Sequence, residues 1–191
     1  MNGNFRNSLV VVFGVVASVV PTAYSADEVI LSEDAQELVR AMKLSETAVL
    51  AARLGSERDA NQKANNPVLL DCVKRLDPEK LVNDFAAAVE TALTPAEIEQ
   101  AHRFFSSPTG QRLVEIGVRN FQQSAGEKPD QPDRLRASED INETDAFIRT
   151  SAGKKLLVDE VLSAPNIGEK ARSHMRQMAA ECTQRKARDN Q

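Results

Sequence analysis

Residues 93–113 read LTPAEIEQAHRFFSSPTGQRL and contain the clearest structural pattern in the sequence. Thr94 precedes a proline and stands three positions before Glu97, which is the pattern of a capping box with proline in the first helical turn. Ser107 and Pro108 give a second helix start of the same kind. The apolar residues between the two starts recur at helical spacing: Ile98, Ala101, Phe104 and Phe105. The stretch therefore predicts two consecutive helices separated by a short break.

Apolar residues recur at helical spacing on both sides of this stretch. Toward the N-terminus, the pattern predicts one or two helices that stop at Gly55, then a polar loop and two more helices that begin at prolines. These elements cover 32–54, 56–66, 67–76 and the residues from Asp77-Pro78 onward.

Toward the C-terminus, glycine, prolines and many charges predict a linker over 124–136. Ser138 is predicted to cap the next helix, Gly153 lies at the start of another, and a last helix is predicted over 168–186. No segment alternates convincingly with the period of a strand. The sequence therefore predicts an all-α fold, a bundle of short antiparallel helices that forms a single domain over 26–191.

A shift of the sequence by 43 positions aligns a stretch at about 93–121 with a stretch at about 136–162. The aligned pairs share charge, size or aromatic character: Glu97 with Asp140, Phe104 with Phe147, Gly110 with Gly153, Arg112 with Lys155, and Leu113 with Leu156. A glycine at the same place in both copies would let two backbones approach each other or turn. The alignment predicts an internally repeated helical hairpin. Chance resemblance between amphipathic helices is the alternative.

The first 25 residues have the pattern of a secretory signal peptide. Arg6 supplies a positive charge, an apolar run covers 9–20, and Ala23 and Ser25 are the small residues that a signal peptidase requires. The apolar run is about a dozen residues long, whereas a helix that crosses a membrane needs about 20. We therefore expect cleavage after Ser25 and export to the periplasm, with an uncleaved membrane anchor as the alternative.

The composition disfavours several classes of function. The chain has 24 basic and 28 acidic residues, and removal of Arg6 with the leader leaves a formal charge of −5, which argues against a nucleic-acid partner. There is no Trp, and the one Tyr, Tyr24, lies in the predicted leader. Sugar-binding platforms and single-stranded nucleic-acid grooves usually stack ligands on aromatic rings, so both are disfavoured. No later apolar run approaches membrane-spanning length, so the exported domain is expected not to cross a membrane.

The chain has two cysteines, Cys72 and Cys182. In an exported protein, two thiols most simply form a disulfide. Both cysteines lie at helical core spacing, and a catalytic pair would normally be close in sequence, as in Cys-x-x-Cys. The sequence therefore predicts a structural disulfide between them, with two separate buried thiols as the alternative.

Glu99 and His102 form a Glu-x-x-His pair, the spacing that places both side chains on one helix face in di-iron bundles. Such sites need a second pair, and the aligned hairpin offers Asn142 and Asp145 at the matching positions. The preferred interpretation of His102 is therefore a partly buried structural histidine. Glu99 and His102 remain the candidate metal or catalytic pair of the sequence.

Two further patterns resemble functional motifs. His174, Met178 and Cys182 fall at i, i+4 and i+8, a set that could bind copper, but Cys182 cannot bind a metal and form the disulfide as well. Ser151 to Lys154 spells Ser-x-x-Lys, the acylation motif of penicillin-recognising enzymes, without the other two motifs of those enzymes. We expect Ser151 to be a helix cap.

Residues 93–113 resemble a motif of a bacterial exported family, the domain of unknown function two-zero-five-nine. That motif is Leu-Thr, an acidic helix start, and then Phe-aromatic-x-Ser-Pro-x-Gly-basic-basic-Leu. The matching positions are Thr94, Phe104, Phe105, Ser107, Pro108, Gly110 and Leu113. Gln111 departs from the pattern, because it stands at the first basic position. The resemblance covers about residues 70–120 and implies an all-helical, signal-bearing protein of a Gram-negative bacterium without an assigned activity, and it brings no catalytic residues.

The expected function is non-catalytic binding, because the well-patterned helical sequence contains no catalytic constellation. The expected partner is an envelope protein or a small apolar ligand held between helices, and no cofactor is expected. The alternatives are an enzyme or metal-binding protein that uses Glu99 and His102, and a structural protein of the envelope.

Overall fold

The computed structural model describes residues 31–61, 67–124, 126, 138–163 and 167–189. These residues form helices and turns and contain no strand, so the predicted all-α fold is confirmed. The predicted signal peptide and most of the predicted linker lie outside the described residues.

The described residues contain α-helices joined in several places by 3₁₀ or π-helical turns. The α-helices are α1 (Glu33–Ala41), α2 (Leu44–Asn61), α3 (Pro67–Lys74), α4 (Val82–Ala92), α5 (Pro95–Phe105), α6 (Pro108–Ser124), α7 (Ser138–Ile148), α8 (Ser151–Gly153) and α9 (Ile167–Asp189). A 3₁₀ turn, Pro78–Leu81, precedes α4, a π-helical turn, Lys154–Val158, continues α8, and a second 3₁₀ turn covers Val161–Ser163.

The core is formed mainly where α1 packs against α4 and α5. Its buried side chains recur at helical spacing on each of the three helices: Ala35, Leu38, Val39, Val82, Ala86, Val89, Ile98, Ala101, Phe104 and Phe105. The spacing of three or four residues places these side chains on one face of each helix, so the three faces can bury one another. The last helix, α9, packs against α3 and α4.

The predicted helix stop at Gly55 is wrong, because α2 continues through Gly55 to Asn61. A glycine inside a helix costs only about 1 kcal/mol relative to alanine, which does not end a helix that continues well on both sides. The chain breaks instead at Lys43, which has a φ of 53°. The N–H of Lys43 donates to the carbonyl of Arg40 at 3.0 Å and closes the end of α1. The predicted loop over 56–66 is therefore wrong for residues 56–61, which belong to α2.

The helix starts marked by proline are confirmed. Asp77 accepts a hydrogen bond from the N–H of Glu79 at 3.1 Å, with Pro78 in the first turn. That first turn is 3₁₀ rather than α-helical. The other predicted helix ends differ from the observed ones by one to three residues, an ordinary uncertainty for frayed helix ends.

Candidate functional site

The helix pair α5–α6 meets the pair α7–α8 at a cluster of phenylalanines. The rings of Phe104 and Phe147 stack with their centroids 4.0 Å apart and their planes at 7°. Phe105 packs edge-on against both, at 5.1 and 5.6 Å. All three side chains are buried, so the cluster holds the two helix pairs together by apolar burial.

Two ion pairs also join these two helix pairs. Lys155 Nζ lies 2.7 Å from Glu97 Oε2, and Arg112 Nε lies 3.0 Å from Asp140 Oδ2. Arg112 also donates to the second oxygen of Asp140, as does the hydroxyl of Thr109 at 3.0 Å. Each pair joins an acid of one helix pair to a base of the other. The contacts are therefore reciprocal: the acids lie 43 positions apart in the sequence, and so do the bases.

Glu97 accepts hydrogen bonds from donors on two helix pairs. The N–H of Thr94 donates at 2.8 Å and its hydroxyl at 3.0 Å, while the hydroxyl of Ser151 and the ammonium of Lys155 donate from the other pair. These contacts include the capping box expected for α5. The hydrogen bond from Lys155, followed by those from Ser151 and Thr94, lowers the pKa of Glu97 to about 2. Glu97 is therefore a stably ionised carboxylate that joins two helix pairs.

We expect the Glu97→Gln variant to lose about 1 to 2 kcal/mol of unfolding free energy at pH 7, because Lys155 would lose its anionic partner. The lowered pKa means that the contribution of Glu97 is complete above about pH 4.5 and disappears as the pH falls toward 2. The difference in unfolding free energy between the wild type and the variant should therefore become smaller as the pH falls from about 4.5 toward 2. Urea unfolding at pH 7, 4 and 3 measures it.

The Glu99→Gln variant is the control, because Glu99 is exposed and pairs only with Arg103 of its own helix among the described residues. It should change the unfolding free energy by less than about 0.5 kcal/mol. Equal effects of the two substitutions at every pH would contradict the assigned role of Glu97.

Two glycines, Gly110 and Gly153, lie where the backbone of the preceding helix is very close. A Cβ on Gly110 would lie 2.6 Å from the Cα of Phe105, and a Cβ on Gly153 would lie 2.5 Å from the carbonyl carbon of Phe147. The N–H of Gly110 donates to the hydroxyl of Ser107 at 3.1 Å, and that of Gly153 to the hydroxyl of Thr150 at 3.0 Å. The two sites thus match in geometry as well as in sequence.

The candidate residues Glu99 and His102 contact different partners in the described part of the chain. The Glu99 carboxylate is two-thirds exposed and lies 2.8 Å from Arg103. His102 Nε2 lies 3.6 Å from Glu37 Oε2 of α1, which fits the structural interpretation of this histidine. Within the described ranges, no group of three or more His, Cys, Asp or Glu side chains is placed to bind a metal ion.

Ser151 is not the cap of α8, so that prediction is wrong. Thr150 is the N-cap, and its hydroxyl accepts from the N–H of Gly153. The physical reason is position: the hydroxyl one residue earlier reaches the free N–H of the first turn, while that of Ser151 points to Glu97. Sequence spacing could not distinguish two adjacent hydroxyl residues.

The predicted disulfide is present and joins α3 to α9. Cys72 and Cys182 have their Cα atoms 5.8 Å apart across a sequence separation of 110 residues. Nearby, Lys186 donates to Asp71, and this hydrogen bond lowers the pKa of Asp71 below its ordinary value. Cys182 is therefore unavailable for the copper set considered with His174.

His174 instead joins α9 to α4. Its Nδ1 lies 2.8 Å from Asp84 Oδ2, and Lys170 Nζ lies 3.6 Å from the other oxygen of the same carboxylate. The Asp84 side chain is only 11% exposed. Like Glu97, it is a largely buried acid that holds two helices together.

The second helix pair exposes large apolar side chains. Ile141 of α7 is 49% exposed, and Val158, at the end of the π-helical turn, is 56% exposed. Ile98, which occupies the position of α5 that matches Ile141, is 3% exposed. Sequence pattern alone did not reveal this difference, because both isoleucines have the same helical spacing.

Comparison with protein-family models, curated proteins and solved structures gives no significant match. Membership of the family that residues 93–113 resemble therefore stays a prediction. Of the helices in the described part of the chain, none combines the length and the apolar character that a membrane crossing requires.

Proposed function

We propose that the protein is an exported, non-catalytic helical protein that acts by binding a protein partner in the bacterial envelope. The observation that carries the proposal is the contrast between buried and exposed groups. Glu97 and Asp84 are largely buried acids that join helices, whereas Ile141 and Val158 are exposed to solvent. Ile141 shares one face of α7 with the half-buried Ile148, and apolar side chains that lie close together on a surface are typical of sites that bind other molecules.

The state of the polar candidates supports binding rather than catalysis. A general base needs a pKa near the working pH and a free path to its substrate. The pKa of Glu97 is about 2, and its oxygens already accept from Thr94, Ser151 and Lys155. Glu99, in turn, is on the surface beside Arg103 rather than in a crevice with His102.

Export is supported by the leader pattern of the sequence and by the disulfide. A disulfide between Cys72 and Cys182 is stable in an oxidising compartment and is rare in the cytosol. The resemblance of residues 93–113 to an exported family is consistent with the same compartment. The periplasm is therefore the compartment in which we expect the partner.

Crosslinked affinity capture from envelope extracts tests the proposal. We expect the oxidised protein, with residues 1–25 removed, to capture one or a few envelope proteins reproducibly. The Glu99→Ala/His102→Ala double variant is the matched control, and it should capture the same proteins, because neither residue is part of the proposed surface. If the wild-type protein captured no envelope protein, the proposed function would be wrong, and a small ligand found by native mass spectrometry would point to a different binding function.

A further inference from the structure

We propose that one face of α7, formed by Ile141, Asp145 and Ile148, binds an amphipathic helix of the partner protein. The binding helix would present short aliphatic side chains to Ile141 and Ile148 and a lysine or arginine to Asp145. This inference rests on the proposed function and names the partner's chemistry.

The structure contains a template for this contact, because α1 already packs against the matching face of α5. The contacts at the phenylalanine cluster show which residues of α5 and α7 correspond, because the matching partners, such as Phe104 and Phe147, lie 43 residues apart in the sequence. Ile98 and Phe105 are 3% and 2% exposed in the core that includes α1. Their counterparts are Ile141, which is 49% exposed, and Ile148, which is half-buried.

The elements that pack against α7 in the described part of the chain leave this face open. Among the described residues, α7 packs mainly against α6, α8 and the π-helical turn, and none of these occupies the place that α1 has on α5. Positions 141, 145 and 148 fall on one face, since they are separated by four and three residues. An apolar stripe of this width, with an acid at its edge, is suited to one helix laid along α7.

Charge distinguishes the partner helix from α1 itself. On α5, His102 Nε2 lies 3.6 Å from Glu37 Oε2 of α1, so the edge of that contact pairs an imidazole with a carboxylate. On α7 the position that matches His102 holds Asp145, which is exposed. An α1 helix from a second copy of the chain would place Glu37 beside Asp145, and like charges would oppose binding. A helix with a lysine or arginine at that position would instead be attracted.

Two synthetic peptides test the charge argument with the disulfide-bonded protein. Both cover residues 32–43 with blocked ends and a hydrocarbon staple on the side opposite Leu38, because short free helices are marginal in water. One has the natural sequence, and the other carries Glu37→Lys. By fluorescence anisotropy, we expect the Glu37→Lys peptide to bind wild-type protein about three- to tenfold more tightly than the natural peptide. The Asp145→Lys variant of the protein should reverse this preference.

The contact with Ile141 is tested by the Ile141→Glu variant, with Ala146→Glu as a matched control on the same helix but away from the proposed face. Both residues are exposed, so both variants should fold, which circular dichroism checks. We expect Ile141→Glu to weaken binding of the Glu37→Lys peptide by at least about tenfold, and Ala146→Glu to leave it nearly unchanged. Equal affinity of the two peptides for wild-type protein, no binding of either, or equal effects of the two variants would overturn the proposal.

The envelope capture separates failure of this inference from failure of the proposed function. If the Ile141→Glu variant captured the same proteins as the wild type, the proposed binding face on α7 would be wrong. A binding function through another surface would still be supported. Absence of capture with wild-type protein would contradict the binding function itself. If sedimentation instead showed a dimer that Ile141→Glu dissociates, the face would bind a second copy of the chain, and the proposed partner would be wrong.

Discussion

Replacement of Gly110 by alanine is expected to lower the unfolding free energy by about 3 kcal/mol, at the upper end of the usual cost of overpacking a core. The added Cβ would lie 2.6 Å from the Cα of Phe105, and the nearest atoms around it are backbone atoms of Phe104 and Phe105. Backbone atoms cannot rotate away as a side chain can, so α5 and α6 would have to separate. Gly153→Ala should have an effect of the same size, because its Cβ would meet the backbone of Phe147.

Gly55→Ala is the control for the two glycine variants. Gly55 lies inside α2 with nothing within 4 Å of an added Cβ, so the alanine should raise the unfolding free energy by about 0.5 to 1 kcal/mol. Urea unfolding of the three single variants, followed by circular dichroism, measures all of them. The close approach of the helices would be refuted if Gly110→Ala and Gly153→Ala were as stable as the wild type.

Loss of the disulfide is expected to have the second large effect. The bond joins residues that are 110 positions apart in the sequence. A crosslink of that span lowers the chain entropy of the unfolded state, which should contribute about 4 to 5 kcal/mol to the unfolding free energy. The Cys72→Ala/Cys182→Ala variant should therefore unfold at a much lower urea concentration than the oxidised wild type. Alanine is the suitable replacement, because Cys72 is 1% exposed and a serine there would bury a hydroxyl.

Reduction of the wild-type protein provides the matched comparison. Dithiothreitol should lower the unfolding midpoint of the wild type nearly to that of the double variant, and it should leave the variant unchanged. The same midpoint for oxidised and reduced wild type would contradict a stabilising disulfide. Two free thiols after alkylation of periplasmic material under denaturing, non-reducing conditions would show that the bond is absent from the natural protein.

Local helix signals in the sequence were sufficient to predict much of the fold. The capping box of Thr94 and Glu97 and the proline starts at Pro78 and Pro108 act within one turn, so they can be recognised without knowledge of the tertiary structure. The helix stop assigned to Gly55 failed for the opposite reason. A glycine penalty is small, and the neighbours of a residue decide whether a helix continues through it.

The ion pairs at the phenylalanine cluster were missed, although the sequence contained a clue to them. The displacement of 43 residues aligned Glu97 with Asp140 and Arg112 with Lys155, so each aligned pair had like charge. If two segments aligned in this way face each other, the acid of each segment lies near the base of the other, as Glu97 does near Lys155 and Asp140 near Arg112. This arrangement depends on how the two helix pairs pack against each other. The spacing of residues along the sequence does not reveal that packing.

The exposure of Ile141 also depends on tertiary structure. Ile98 and Ile141 have the same residue type, spacing and alignment, and they differ because α1 packs against α5 and no described helix has the same position on α7. Their local sequences therefore predict a core residue in both cases. The difference between them is the basis for the proposed binding face.

Binding through the exposed face of α7 is tested most directly by photo-crosslinking in the native cell. The full-length chain would carry the photoreactive amino acid benzoylphenylalanine at position 141, with position 146 as the control. We expect a light-dependent adduct with another envelope protein from position 141 and none, or far less, from position 146. Equal adducts from both positions, no adduct from position 141, or an adduct with only a second copy of the chain would contradict a partner helix at this face.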